Sequence, residues 1–159
     1  MNERIGTLQG RYRLEEKIGK SSMAVVYRAF DTELERQVVV KVITKSNQDS
    51  QDFLAQVNDR VKTLANLTHP GIADNLDHGQ ANGHPYLVTE YFSKGALKKF
   101  IGKPISYQKA AKFLVPIADA LAYAHAQGLV HHRIKPANIY FSEKNHPIIG
   151  DFSLFNAEV

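Results

Sequence analysis

Two short apolar runs near the end of this chain constrain it most. Ile139-Tyr140-Phe141 and Pro147-Ile148-Ile149 flank Ser142-Glu143-Lys144-Asn145, a turn-rich linker, and so read as the two arms of a hairpin. Such a hairpin brings Asn138 and Asp151 to the same end. An amide and a carboxylate side by side suit Mg²⁺, a hard cation that takes few protein oxygens alongside phosphates. Immediately before the hairpin stands His131-His132-Arg133-Ile134-Lys135-Pro136-Ala137-Asn138, which adds the cation Lys135 to that set.

Read with Asp151-Phe152-Ser153, this stretch resembles the catalytic loop of protein kinases, H-R-D-x-K-P-x-N followed by D-F-G. Aligned on Lys135, Pro136 and Asn138, His131 matches the His, His132 the Arg, and Arg133 falls where the catalytic Asp belongs. In the family that carboxylate orients the substrate hydroxyl and accepts its proton. Arginine does neither, being protonated at physiological pH and carrying donors only. The resemblance implies a kinase fold and argues against kinase chemistry.

The 159 residues suffice for a domain with a sizeable core, and 43% hydrophobic with 23% charged is ordinary soluble composition. With no cysteine there is no disulfide framework and no thiolate metal site, which fits a cytoplasmic protein. Met1-Asn2-Glu3-Arg4 leads into no apolar signal segment, and no run is long enough to span a bilayer. The net charge of +4 is mild and calls for no nucleic acid; Lys94, Lys98, Lys99 and Lys103 read as a solvated helix face. His125, His131 and His132 have no Cys or carboxylate at ligand spacing, and read as structural.

Taken from the start, Tyr12–Lys17 reads as a strand opening. Gly19 to Tyr27 reads as a hairpin with outgoing arm Val25–Ala29. The kinase resemblance puts a glycine-rich phosphate cover here. Gly19 remains, while Ser21 and Ala24 stand for the other glycines and limit close backbone approach. Gln37-Val38-Val39-Val40-Lys41-Val42-Ile43 is a continuous β-branched strand expected to be buried on both faces. It resembles the kinase strand whose lysine, here Lys41, reaches the nucleotide phosphates, with Val26 and Val39 above the adenine. Asp49-Ser50 would cap a helix whose apolar stripe is Phe53, Leu54, Val57, Val61 and Leu64, ending before His69-Pro70. By resemblance this is helix C. Arg60 then falls where a glutamate pairs with the strand lysine, and would repel Lys41; Asp59 is rotated about 100° away.

Ile72–Leu76 and Pro85–Tyr91 read as strands around an Asp77–His84 loop. The second resembles the strand entering the interlobe hinge, with Thr89 as gatekeeper and Glu90-Tyr91-Phe92 as hinge. Gly95-Ala96-Leu97 opens a short helix. Ser106 caps a long one with the stripe Ala110, Phe113, Leu114, Ile117, Leu121 and Ala124, stopped at Gly128 and kinked at Pro116. Tyr140 stands on the adenine floor, where the family has a smaller aliphatic. Leu64, Leu76, His131 and Phe152 keep residue types suited to interlobe packing.

The expectation is therefore an α+β, protein-kinase-like fold of bacterial serine/threonine type. Residues 1–92 form an antiparallel N-lobe with helix C and hinge; residues 93–159 form a truncated helical C-lobe ending just after the D-F-G-like motif. The implied function is that of a pseudokinase, a regulatory or scaffolding module without phosphotransfer. The alternative is an ATP-binding switch or a weakly active serine/threonine kinase. No cofactor is required, although Lys41 could still hold ATP, and Asn138 with Asp151 could hold Mg²⁺, weakly. A protein partner or a second copy would cover the exposed C-lobe surface.

Overall fold

Among the described residues six strands make one antiparallel sheet in the order β1-β2-β3-β4-β6-β5: β1 Gly6–Leu8, β2 Tyr12–Lys20, β3 Ala24–Asp31, β4 Arg36–Ile43, β5 Asn75–Ala81 and β6 His84–Glu90. The computed structural model describes residues 6–21, 24–44 and 51–152, with backbone alone for 51–54. The Asp49-Ser50 cap, the side chains of Phe53 and Leu54, and Ser153 lie outside the described residues. The described chain divides into two units. One runs to Ala65 and adds Asn75–Tyr91; the other joins Asn66–Asp74 to the residues from Phe92 onward.

The core of the first unit is built by alternation. Tyr12 and Leu14 on β2, Ala29 on β3, Val38 and Val40 on β4, and Tyr86 and Val88 on β6 share one buried cluster with Leu8. β4 is therefore not buried on both faces as expected: Val38 and Val40 are closed off, whereas Val39, Lys41 and Val42 are half-buried. A period of two separates the packed face from the face that carries Lys41. The helix α1, Gln51–Ala65, buries Val57, Val61 and Leu64 at the expected spacing. Asn75 secures its last turn by donating from Nδ2 to the Leu64 carbonyl at 2.7 Å.

A charged network sits at one end of this sheet. Arg11 grips the buried Asp31 through two parallel bonds of 2.9 and 2.8 Å. The same carboxylate accepts from the backbone N–H groups of Glu33 and Leu34. These donors, Arg11 first, outweigh burial and pull the Asp31 carboxyl down to about 2. Tyr12 donates to Asp77 at 2.5 Å, and burial together with that carboxylate raises the Tyr12 hydroxyl well above its ordinary range.

The β5–β6 hairpin differs from expectation. Asp77–Ala81 is strand, not loop, and the turn is only Asn82-Gly83, both at positive φ (51° and 78°). Asn-Gly is the residue pair a tight primed turn demands. Ile72 does not start this strand; it makes a lone parallel bridge to Ile149 in the second unit.

In the second unit the long helix α2 spans Tyr107–Ala126. Ser106 Oγ accepts from the Lys109 N–H at 3.4 Å, as an N-cap should. At the other end Gly128, at φ +73°, and Leu129 send their N–H groups back to His125 and Ala124 at 2.9 Å, a Schellman closure. Ile117, Ala120 and Ala124 are buried, but Leu114 is 57% exposed, so the buried stripe turns away from it. The helix runs through Pro116 as one element. Gly71 lies against it; a Cβ there would stand 3.0 Å from the Ala120 Cβ. Leu97–Phe100 is a single 3₁₀ turn. The lysines do not form one helix face: Lys94 is tied to the Glu143 carbonyl and, at 2.9 Å, to Asn145 Oδ1. The expected hairpin is present as β7, Ile139–Phe141, and β8, Pro147–Ile149. The chain is thus α+β, an antiparallel sheet with its helix followed by a helix and hairpin unit.

Candidate functional site

In the first unit, strand register sets the expected nucleotide-side residues across neighbouring strands. Gly19 pairs with Val26, Val26 with Lys41, and Lys41 with Leu87. Val39 pairs with Thr89, and Val38 with Glu90, one residue before Tyr91. The row from Gly19 to Leu87 crosses four antiparallel strands, and Val39 shares the face of Lys41 because every second residue of a strand points the same way. The β2–β3 turn is closed from within. Ser21 Oγ accepts from the Ala24 N–H at 3.1 Å, and the Ser21 N–H reaches the Ala24 carbonyl at 2.8 Å. Ser21 thus spends its hydroxyl on holding the turn, and Ala24 is a buried strand residue opposite Ile43. Arg60 is half-buried on α1, and desolvation lowers its pKa; Asp59 beside it is exposed.

In the second unit, His131 is the anchor. It is 1% exposed, and both ring nitrogens are engaged. Nδ1 accepts from the Arg133 N–H at 3.1 Å, so Nε2 carries the proton it gives to the Gly150 carbonyl at 2.9 Å. The ring packs on Phe152 with centroids 4.5 Å apart. Burial is the main influence on the ring and lowers its pKa, favouring the neutral form these two bonds require.

Asn138 closes the same loop. Its Nδ2 donates to the Arg133 carbonyl at 2.8 Å, and its own carbonyl accepts from the Gly150 N–H at 2.9 Å. With the amide nitrogen committed, the oxygen is the end that could meet a cation. Pairing of Ile139 with Ile149 places Asn138 and Asp151 at one end of the hairpin. Asp151 takes a left-handed turn at φ +58°, a conformation Asp tolerates better than most residues. An amide oxygen and a carboxylate together fit the hard-oxygen preference of Mg²⁺.

The Arg133 side chain is exposed, as are His132 and Lys135 on either side of it. His132, at φ +62°, bends the chain between the inward His131 and the outward Arg133. Lys135 precedes the 3₁₀ turn Pro136–Asn138, and its carbonyl accepts from the Asn138 N–H at 2.9 Å.

Tyr140 stacks on Phe92, centroids 5.3 Å apart and planes at 22°. Burial chiefly, and the nearby Asp151 charge, raise its hydroxyl pKa. The ring also covers Gly150, where an added Cβ would lie 2.7 Å from Tyr140 Cε2. Neither Phe92 as a stacking partner nor Gly150 as a required glycine stood out in the sequence. Its one signal for the latter is a glycine between an apolar strand and Asp151.

A lysine-bearing sheet and a His-anchored loop ending in an Asn–Asp pair define a protein kinase domain. The model of that family, described as "Protein kinase domain", matches residues 12–157, and the chain belongs to it. It is 36% identical over 157 residues to a probable serine/threonine-protein kinase of Clostridium acetobutylicum, covering 96% of this chain and 24% of that protein. It is 36% identical over 165 residues to the serine/threonine-protein kinase PknA of Mycobacterium tuberculosis, covering 99% of this chain and 38% of that one. A probable serine/threonine-protein kinase of Streptomyces coelicolor is 33% identical over 94% of this chain and 23% of its own length. The chain thus spans between about a quarter and two-fifths of these relatives. Among the described residues no helix is long and apolar enough to cross a membrane.

Proposed function

We propose that this chain is a kinase-family module without phosphotransfer activity, a pseudokinase that works by binding protein. The observation carrying this reading is Arg133. A guanidinium stands on the loop where resemblance calls for the carboxylate that takes a proton from the substrate. Arginine offers donors only, and loss of a positioned base costs about 10²–10⁴ in rate. Arg60 at the helix C position and Ser21 and Ala24 in the phosphate loop support the same reading. Single-turnover transfer from labelled ATP, to the chain itself or to a generic substrate, should be undetectable. A signal that disappears in Lys41→Ala would overturn the reading.

A second reading is favoured by the placement of Asn138 and Asp151 at one end of the hairpin. On this reading Mg²⁺-ATP binds and sets the state of the module without being consumed, or is turned over weakly. The two separate in a thermal melt, because ligand at 100 times its dissociation constant adds about 2.7 kcal/mol. No shift at millimolar Mg²⁺-ATP favours the purely protein-binding form. The surface assigned to protein is the exposed apolar side of α2, with a second copy as occupant. Cytoplasmic placement belongs to the same reading, and cell fractionation tests it.

A further inference from the structure

We propose that Arg133 and Lys135 form a recognition site for a phosphorylated serine or threonine on a partner polypeptide. The inference rests on the reading above, in that the loop is free to bind because it does not catalyse.

The root of Arg133 is fixed. Its N–H is held by His131 at 3.1 Å and its carbonyl by Asn138 at 2.8 Å, while His131 is itself locked to the Gly150 carbonyl. A backbone so constrained has no loop-ordering cost left to meet on binding, so only the rotamers of the side chain remain to be fixed. Its head remains uncommitted: Arg11, Arg13 and Arg28 are each paired with carboxylates, whereas Arg133 has no carboxylate partner among the described residues. The same holds for Lys135, two residues on and also exposed.

The chemistry of the ligand follows from these groups. A guanidinium fork matches phosphate oxygens two at a time, and the ammonium of Lys135, two residues along the chain, supplies a second positive charge. A phosphomonoester carries about −1.5 to −2 charge at neutral pH, matching two cations better than a carboxylate does. Ile134, 45% exposed between them, offers apolar contact that a peptide can use and a free ion cannot. The charge of Asp151 acts on His131 and on Tyr140.

The test is fluorescence anisotropy with the whole chain and a labelled peptide carrying one phosphoserine between apolar residues. Its unphosphorylated twin and inorganic phosphate complete the set. The phosphopeptide should bind about tenfold or more tightly than the twin, and Arg133→Ala and Lys135→Ala should each remove about tenfold in affinity. The control pair Lys98→Ala/Lys99→Ala should leave binding unchanged. Equal loss in that control, no preference over the twin, or displacement by inorganic phosphate at the peptide's own concentration would each overturn the proposal. Phosphotransfer activity would defeat the inert reading without altering these binding ratios. Loss of the ratios with no phosphotransfer would defeat this site alone.

Discussion

The side-chain amide of Asn138 donates a 2.8 Å hydrogen bond to the main-chain carbonyl of Arg133, five residues back, and thereby closes the loop on itself. Asn138 is 5% exposed, so water cannot readily replace the bond. Asn138→Ala should cost about 1–3 kcal/mol, since it leaves the carbonyl short of a donor. Asn138→Asp should cost more than Asn138→Ala, because a carboxylate would face that carbonyl without a proton to share. Urea denaturation of the three chains at pH 7 checks the order. An aspartate variant as stable as the parent would mean that the amide is not holding the loop.

Gly150 and Tyr140 are tied by space rather than by a bond. An added Cβ at Gly150 meets Tyr140 Cε2 at 2.7 Å and Cδ2 at 3.1 Å, and the ring is backed by Phe92. Gly150→Ala should therefore destabilise by about 1–3 kcal/mol through overpacking. The double variant Gly150→Ala/Tyr140→Leu should recover part of that cost, a coupling that separate sites would not show. Thermal melts of the four chains in the cycle measure it. Strict additivity would place the strain elsewhere.

Asp31 sets an acid limit on stability. Its carboxyl is 3.8 when unperturbed and about 2 in the fold, so the unfolded chain binds the proton more readily between those values. Stability from this group is full above the unfolded value and drains as pH falls from about 4 towards 2. The shift corresponds to about 2 kcal/mol, for a side chain 2% exposed. Asp31→Asn should be less stable than the parent at pH 7 by about that amount, with the two converging near pH 2. Denaturation at stepped pH gives both curves, and parallel curves would count against the Arg11–Asp31 pair as the cause.

What the sequence made legible was local. The 139–149 hairpin, the Ser106 cap and the Gly128 stop each depend on a few adjacent residues, and each stands where it was expected. The β5 strand was hidden because Asp77, His78, Gly79 and Gln80 are polar or small. They are tolerated at the sheet edge, where β5 has one neighbour only, and Gly79 leaves room for the Tyr86 ring beside it. The Asn82-Gly83 turn was present in the letters but lost inside that polar run. Ties such as Tyr12 to Asp77, 65 residues apart, leave no trace in a pattern read along the chain. At the candidate site, residue types announced His131, Asn138 and Asp151. The stacking of Phe92 on Tyr140 and the need for glycine at 150 arise only when the hairpin folds back.

The helix α2 is apolar on two sides, and that bears on assembly. Ile117, Ala120 and Ala124 face the interior, while Leu114 and Val115 are 57% and 66% exposed and Tyr107 is 79% exposed. Ala111, Ala118 and Ala122 complete the outer stripe at helical spacing and are also exposed. Lys112 and Asp119 lie seven residues apart on one rim of this stripe, so an antiparallel second copy crossing near Val115 sets each lysine against the other copy's acid. That arrangement is self-complementary, as a two-fold interface must be. The chain should sediment as a dimer at high micromolar concentration, and Leu114→Lys/Val115→Lys should make it monomeric. Both positions are exposed, so the double variant should change stability by no more than about 0.5 kcal/mol per site once dissociation is accounted for. Lys112→Asp alone should weaken the dimer, and Lys112→Asp/Asp119→Lys should restore it, a rescue that non-specific apolar clustering would not produce. A parent chain that remains monomeric at those concentrations would remove the second copy as the occupant of this face.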